Sequence, residues 1–270
     1  DVALKIMKAR PSDLVLHKRI NREIEILNEV GTHPGIVKLL DVFRTEDRVG
    51  LIFERCYGGE LFGILENTHI NDKGERMFLN RTKGAMHRSI RLTERSIATI
   101  LGQVLDVVKY LHQRGIVHRD LKLENVLLDK PFGSQKGGAL KSKLIDFGLS
   151  KRLVDEGGMF SACGSAYYAA PEVMNAVKTG KPYSTPCDLW ALGVMSYCLL
   201  CRQYPFDGED TKSVLAAVQK AEFSFPETVT ISDDAKDFVT KCLVLNPEKR
   251  ITVEGALEHR WIRNLRSSRF

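Results

Sequence analysis

The sequence lacks any apolar run long enough to cross a bilayer as a helix, which takes roughly 18 uninterrupted residues. Its longest such stretch, Leu189 to Cys201, is broken by Gly193 and Ser196 and follows Asp188, so it reads as a buried helix and no membrane partner is expected. Cysteine is scarce: Cys56, Cys163, Cys187, Cys198, Cys201 and Cys242 are too few in 270 residues to staple a fold of this size. Cys198-Leu-Leu-Cys201 has redox or zinc spacing, but it lies inside the apolar stretch with no second pair nearby and reads as packing. The opening residues, Asp1-Val-Ala-Leu-Lys-Ile-Met-Lys8, have no signal-peptide layout, and with reduced thiols that points to the cytoplasm or nucleus. Charge of one sign is not in great excess. The net charge is +6, with acidic residues interspersed throughout, which argues against nucleic acid as the main partner. There is no repeat at solenoid periods.

What is present is ample core material, 43% hydrophobic residues, enough for one large domain or two lobes. The first sixty residues read as strand, helix, strand, strand. Val2 to Met7 alternates; Ile20, Ile24, Leu27 and Val30 recur at helical spacing before Gly31 and Pro34; Ile36 to Phe43 and Val49 to Phe53 flank a polar turn. Gly58-Gly59 breaks the pattern as a hinge would. Behind a Thr93/Ser96 start, Ile97, Ile100, Leu101, Val104, Leu105, Val108 and Leu111 mark one helical face. Short strands follow near Val126 to Leu128 and Lys143 to Ile145. Helices resume at Pro171, at Thr185 to Leu200, at Ser213 to Lys220, at Asp233 to Leu243 and at Val253 to Leu257. The expected class is α+β, a small β-rich part over 1–57 and a larger helical part over 58–270. Two polar segments, near 67–89 and 130–142, read as inserted surface loops.

The chemistry is concentrated in His118-Arg119-Asp120-Leu121-Lys122-Leu123-Glu124-Asn125 and Asp146-Phe147-Gly148. One short loop carries a carboxylate, an ammonium and a carboxamide, and a second carboxylate arrives on the next strand pair. Phosphoryl transfer needs a carboxylate to orient a hydroxyl, oxygen ligands for Mg2+, and cations facing the phosphates. Alone, Asp-Phe-Gly is an ordinary turn and His-Arg-Asp a surface ion pair; together and in this order they are not.

On these residues the chain resembles the eukaryotic protein kinases over nearly its whole length. The resemblance implies a bilobal kinase fold, ATP and Mg2+ as ligands, and protein substrates. It assigns Asp120 as the catalytic-loop base, Lys122 to the γ-phosphate, and Asn125 and Asp146 to magnesium. Val2-Ala3-Leu4-Lys5 is similar to the strand whose lysine holds the α- and β-phosphates. Glu23 is its ion-pair partner, chosen over Glu25 because it shares a stripe with Ile20, Leu27 and Val30. Phe53 is in the gatekeeper place; Glu54-Arg55-Cys56 resembles the hinge that binds adenine through its backbone at Glu54 and Cys56; Ala3 and Leu127 would cover the two adenine faces. Leu27, Leu39, His118 and Phe147 match the spine joining the lobes, Glu172 would pair with Arg250, and Asp188 would brace the catalytic loop.

Lys122 within His-Arg-Asp-Leu-Lys-x-Glu-Asn resembles serine/threonine kinases. Gly58-Gly59-Glu60-Leu61-Phe62, Leu199-Leu200-Cys201 and Pro205-Phe206-Asp207-Gly208 resemble the calcium/calmodulin-dependent group. That likeness implies that Glu60 meets a basic residue upstream of the acceptor, that Ser165 lies beside Asp120, and that Ser161 carries a regulatory phosphate set by an upstream activating kinase. Three features depart from the pattern. Only four residues precede Lys5, where kinases have two strands and a Gly-rich loop, so the chain reads as a kinase domain without its first strands. The two inserted segments are extra, and Arg202-Gln203-Tyr204-Pro205 stands where the group has Gly-Tyr-Pro-Pro. The rival expectations are a pseudokinase-like scaffold and, more weakly, a polyanion-binding module built on the basic insert and Arg260, Arg263, Arg266 and Arg269.

Overall fold

The computed structural model of the chain describes residues 1–71, 73–80, 88–134, 140–153, 166–179 and 183–267. Its N-terminal part is a three-stranded antiparallel sheet, β1 (Val2–Lys8), β2 (Leu39–Arg44) and β3 (Arg48–Glu54), with β3 in the middle. Helix α1 (Leu14–Val30) packs on it through Ile20, which meets Val49 and Leu51 in a small core. Asp13 starts α1 by accepting the Leu16 N–H at 3.0 Å, and Gly31 ends it at a φ of +58°. The buried stripe of α1 runs Ile20, Glu23, Leu27, Val30, so a carboxylate sits in a row of apolar side chains.

The strand expected from Ile36 begins only at Leu39. Ile36 and Val37 leave the sheet to join the second part of the molecule: Val37 N–H donates to Leu144 O at 3.0 Å, and Leu144 N–H to Gly35 O at 2.7 Å. Backbone groups satisfied there are not available to the sheet ladder.

The second part is mainly helical: α2 (Leu61–Glu66), α3 (Glu94–His112), α4 (Pro171–Thr179), α5 (Pro186–Cys201), α6 (Thr211–Lys220), α7 (Asp233–Cys242), α8 (Val253–Glu258) and α9 (Arg260–Ser267). Thr93 caps α3 through the Ser96 N–H, and all seven apolar residues of its predicted face are buried. Helix α5 has no polar face: every residue from Cys187 to Cys201 is buried, so it runs through the core as the apolar run implied. Cys198 and Cys201 are buried within it and joined in no disulfide, as packing requires. Among the described residues no helix is long and apolar enough to cross a membrane.

Two short antiparallel pairs complete the frame, β7 (Ile116–Val117) with β10 (Lys151–Arg152) and β8 (Val126–Leu128) with β9 (Ser142–Leu144). The segment expected as a polar loop over 67–89 is instead a three-stranded meander, β4 (Thr68–Ile70), β5 (Arg76–Asn80) and β6 (Arg88–Arg91). The β4–β5 turn is closed locally: Asn71 Oδ1 accepts the Lys73 and Glu75 N–H groups, and Gly74 adopts a φ of +70°. Polarity suggested a loop, but the apolar run Met77-Phe78-Leu79 next to that turn was the strand signal. In the second inserted segment, 135–139 lie outside the described residues; its far end is tied to α3 by Gln103, which donates to Leu140 O and accepts from Ser142 N–H. Helices α2 and α9 were not anticipated, being short and lacking a clear apolar period.

Candidate active site

Lys5 is on β1 and Glu23 on α1, and the sheet brings them together: Lys5 Nζ donates to Glu23 Oε1 at 2.7 Å. The same ammonium donates to Asp146 Oδ1 at 2.9 Å. Burial lowers the lysine pKa, but the two carboxylates outweigh it and raise the value, so the ammonium stays charged. For Asp146 burial pushes upward, and the Lys5 charge and hydrogen bond with the Gly148 N–H overcome that, holding the carboxyl below its usual 3.8. The rival Glu25 is exposed and 3.9 Å from Arg152.

The loop before β8 is bound from below. Asp188, buried in the first turn of α5, accepts the backbone N–H of His118 at 3.0 Å and of Arg119 at 2.9 Å, and bonds His112 Nε2 at 2.9 Å. Those bonds hold Arg119 at a φ of +71°, a conformation costly for a side-chain-bearing residue. Asp146 is strained in the same sense at +61°. Above the brace, Lys122 Nζ donates to Asp120 Oδ2 at 2.8 Å, and Asn125 Nδ2 donates to Asp120 O at 2.7 Å and to Oδ2 at 3.2 Å. His118 is wholly buried and meets Phe147 edge-on at 5.1 Å, with Leu27 buried in the same core and Leu39 packed against it. Arg119 Nε donates to Tyr183 Oη at 2.7 Å.

Between the two parts lies a cleft of about 350 Å³. Ala3 and Leu127 line it, Phe53 and Glu54 stand at one end, and Lys5 and Asp146 stand at the other. The apolar walls with charge at one end suit a ligand with a flat apolar ring and an anionic tail. Cys56 lies two residues beyond Glu54, half-buried and outside the cleft wall. Gly58 is required where the chain crosses, because a Cβ there would lie 2.3 Å from Lys130 O. Glu60 is exposed at the start of α2, its side chain caps no N–H, and its backbone bridges to that of Leu127. Ser161 and Ser165 lie outside the described residues.

Among the described residues no group of three or more His, Cys, Asp and Glu gathers into a metal site of its own. The donor set does fit a cation carried in by phosphates. Asp146 supplies a charged carboxylate, and Asn125, with its nitrogen engaged on Asp120, presents its amide oxygen, the hard ligands Mg2+ takes alongside phosphate.

A model of the protein kinase domain matches residues 1–262. The chain belongs to the protein kinase family. It is 35% identical over 261 residues to a probable myosin light chain kinase of Dictyostelium discoideum, covering 97% of this chain and 73% of that protein. It is 36% identical to a calcium/calmodulin-dependent protein kinase type 1 of Macrobrachium nipponense, covering 97% of this chain and 70% of the relative. A CDPK-related protein kinase of Daucus carota is also 36% identical across the whole chain, which spans only 40% of that protein. These relatives are serine/threonine kinases of the calcium/calmodulin-dependent group, and the bilobal kinase fold is the one described above.

Some contacts in this kinase domain had no sequence signal. Arg19 Nε donates to Gly148 O at 2.8 Å, and Arg152 bonds Glu29, so α1 is fastened to the segment after Asp146 at two further points. Lys143 Nζ donates to Glu54 Oε1 at 2.6 Å, joining β9 to the end of β3. An isolated arginine or lysine in a sequence does not say which carbonyl or carboxylate it will meet.

Proposed function

We propose that this kinase transfers the γ-phosphoryl group of ATP, with Mg2+, to serine or threonine hydroxyls of protein substrates bearing upstream basic residues. The observation that carries the reading is Lys5, held between Glu23 and Asp146 at the inner end of a cleft whose outer end is Glu54. In that frame adenine lies between Ala3 and Leu127 against the backbone at Glu54 and Cys56, and Lys5 faces the α- and β-phosphates. Bound Mg2+, held by Asn125 and Asp146, supplies charge neutralisation on the phosphates.

Asp120 accepts a hydrogen bond from the substrate hydroxyl and takes its proton as the oxygen bonds to phosphorus. The bond from the γ-phosphorus to the bridging oxygen breaks, and ADP leaves with that electron pair. Lys122, already 2.8 Å from Asp120, stands where its ammonium can follow the transferred group. Glu60 offers an exposed carboxylate for a basic residue before the acceptor.

The test is transfer from Mg-ATP to an arginine-containing serine peptide by the intact protein, beside its Asp120→Asn variant. General-base loss lowers the rate by about 10² to 10⁴ while nucleotide still binds. Equal rates in the two proteins overturn the reading, and a protein that binds neither nucleotide nor peptide is a scaffold instead. For regulation, Ser161→Ala lowers activity where an upstream kinase acts. Unchanged activity, with no phosphate at Ser161 by mass spectrometry, removes that part.

A further inference from the structure

Lys143 belongs to neither the motifs nor the cleft wall, yet the elements of the nucleotide site meet around it. Its Cα partner across the β8–β9 pair is Leu127, the floor of the cleft. Its ammonium reaches the other way, to Glu54 Oε1 at 2.6 Å, with the two side chains only 16% and 32% exposed. Glu54 is thereby fixed from three directions. The same Oε1 accepts the Lys38 backbone N–H at 2.8 Å, and the Glu54 N–H donates to Lys38 O at 3.0 Å. The next residue along β9, Leu144, carries the two backbone bonds to Gly35 and Val37. One further on, Ile145 N–H donates to Asn125 O at 2.9 Å, immediately before Asp146.

We propose that Lys143 is a positioning residue for the nucleotide: by clamping the Glu54 carboxylate from behind, it sets the hinge backbone at the right height above Leu127 for adenine. The inference rests on the nucleotide-binding reading above. Two arguments separate this pair from an ordinary surface ion pair, which contributes little. The acceptor oxygen is shared with a backbone N–H, so its position is tied to the chain and not to a free rotamer. The pair also spans the mouth between the lobes, where a shift of an ångström changes the width of the site. Burial raises the Glu54 pKa, and the Lys143 hydrogen bond with the Lys38 N–H more than offsets it, so the carboxylate is charged when the clamp is closed. Lys143 acts through Glu54 and Leu127 and reaches no phosphate, so its effect falls on nucleotide binding and not on the transfer step.

The experiment measures Mg-ADP affinity by calorimetry and steady-state kinetics with ATP as the varied substrate, in the full-length protein. Lys143→Met binds Mg-ADP about tenfold more weakly, the loss expected for one charge-assisted hydrogen bond. KM for ATP rises by the same factor, and kcat at saturating ATP stays within about twofold. Lys143→Arg restores most of the affinity. Lys38→Met, whose residue holds Glu54 through its backbone, leaves the affinity within about twofold. Should Lys143→Met fail to fold, Glu54→Gln weakens the same bond from the other end and is read in the same way. Wild-type affinity in Lys143→Met, failure of arginine to restore it, or a fall in kcat with affinity intact each overturns the positioning role. A wild-type protein that does not bind Mg-ADP overturns the nucleotide reading beneath it, a different result from equal binding by wild type and variant.

Discussion

Arg250 holds Glu172 through two parallel hydrogen bonds, Nη1 to Oε1 at 2.6 Å and Nη2 to Oε2 at 2.9 Å. The arginine side chain is wholly enclosed. It also donates to Val244 O and Pro186 O and lies 5.1 Å from the centre of the Trp190 ring. One guanidinium thus fastens the first turn of α4, the start of α5 and the loop beyond α7. Replacing it with methionine leaves a shielded carboxylate and two carbonyls without their donor. Removing one member of such a pair costs about 3–5 kcal/mol, far more than the pair contributes relative to an apolar substitute. Urea unfolding of Arg250→Met is expected to show a loss of that order, and Glu172→Gln, which keeps an oxygen acceptor, a smaller one. A loss below about 1 kcal/mol in Arg250→Met contradicts the assignment.

The brace beneath the catalytic loop makes stability fall with acid in two stages. Burial lowers the pKa of His118 below its usual 6.5, so the ring is neutral in the folded protein and takes up a proton on unfolding. The unfolded chain binds more protons below 6.5, so this contribution is full above that value and is lost as pH falls through the window beneath it. Asp188 follows. Burial alone would raise its pKa, but the His112 hydrogen bond and the Arg119 N–H lower it, so its contribution is present above 3.8 and lost as pH falls below. Unfolding free energy measured by urea between about pH 7 and pH 5 should therefore decline, and the decline should flatten in His118→Phe, which keeps the edge contact with Phe147 but cannot titrate. A slope unchanged by that substitution removes His118 as its source.

Much of this was readable from the chain because local chemistry and tertiary role coincide. Asp120 and Asn125 sit in one short run and Asp146 in another, which the resemblance to protein kinases implies serve one site, and the α3 stripe from Ile97 to Leu111 could bury only one face. Glu23 was separable from Glu25 because one lay on the apolar stripe and the other off it. The failures have a common physical form. Ile36 and Val37 have strand-like side chains, but the Ile36 N–H turns back to His33 O and the Val37 N–H goes to Leu144 O, more than a hundred residues away. The 67–89 segment is rich in charge, and its β4–β5 turn is set by one Asn71 side chain folding back on the backbone. The Lys143–Glu54 clamp joins residues 89 positions apart. Nothing local to either residue announces the other.

The Lys5 cluster gives a stability signature independent of activity. Its ammonium is the group that offsets two carboxylates, Glu23 with only 3% of its side chain exposed and Asp146 about one third exposed. Lys5→Met leaves both without their cation. Because Lys5 holds the Asp146 pKa down, the wild-type protein gains stability from that carboxylate above 3.8 and loses it as pH falls below. The variant lacks this gain. Its deficit relative to wild type is therefore full above 3.8 and shrinks only as pH falls below that value, where Asp146 takes up a proton. Lys5→Arg, which retains a cation, shows a smaller deficit with the same sign. A deficit that does not vary with pH places the cost of Lys5→Met in packing and not in charge.

Cys56 offers a chemical probe of the hinge. Burial raises its thiol to about 11, with Lys143 pulling against the rise and Glu54 adding to it. The thiolate is the reactive form, so near pH 8 only about a thousandth of Cys56 is competent, against about a tenth for an unperturbed thiol of 9.0. Alkylation by iodoacetamide is expected to run roughly a hundredfold slower than for a free thiol, and to rise about tenfold per pH unit because the titration lies far above. Cys187, Cys198, Cys201 and Cys242 are buried and should stay unmodified until the protein unfolds. Lys143→Met removes the cation that opposes the shift, so the Cys56 rate falls further in that variant, linking the thiol to the clamp by a readout that needs no nucleotide. Peptide mapping by mass spectrometry after timed alkylation decides it: a Cys56 rate equal to that of a free thiol, in either protein, would mean that the hinge is open to water and that neither burial nor the Lys143–Glu54 pair shapes it.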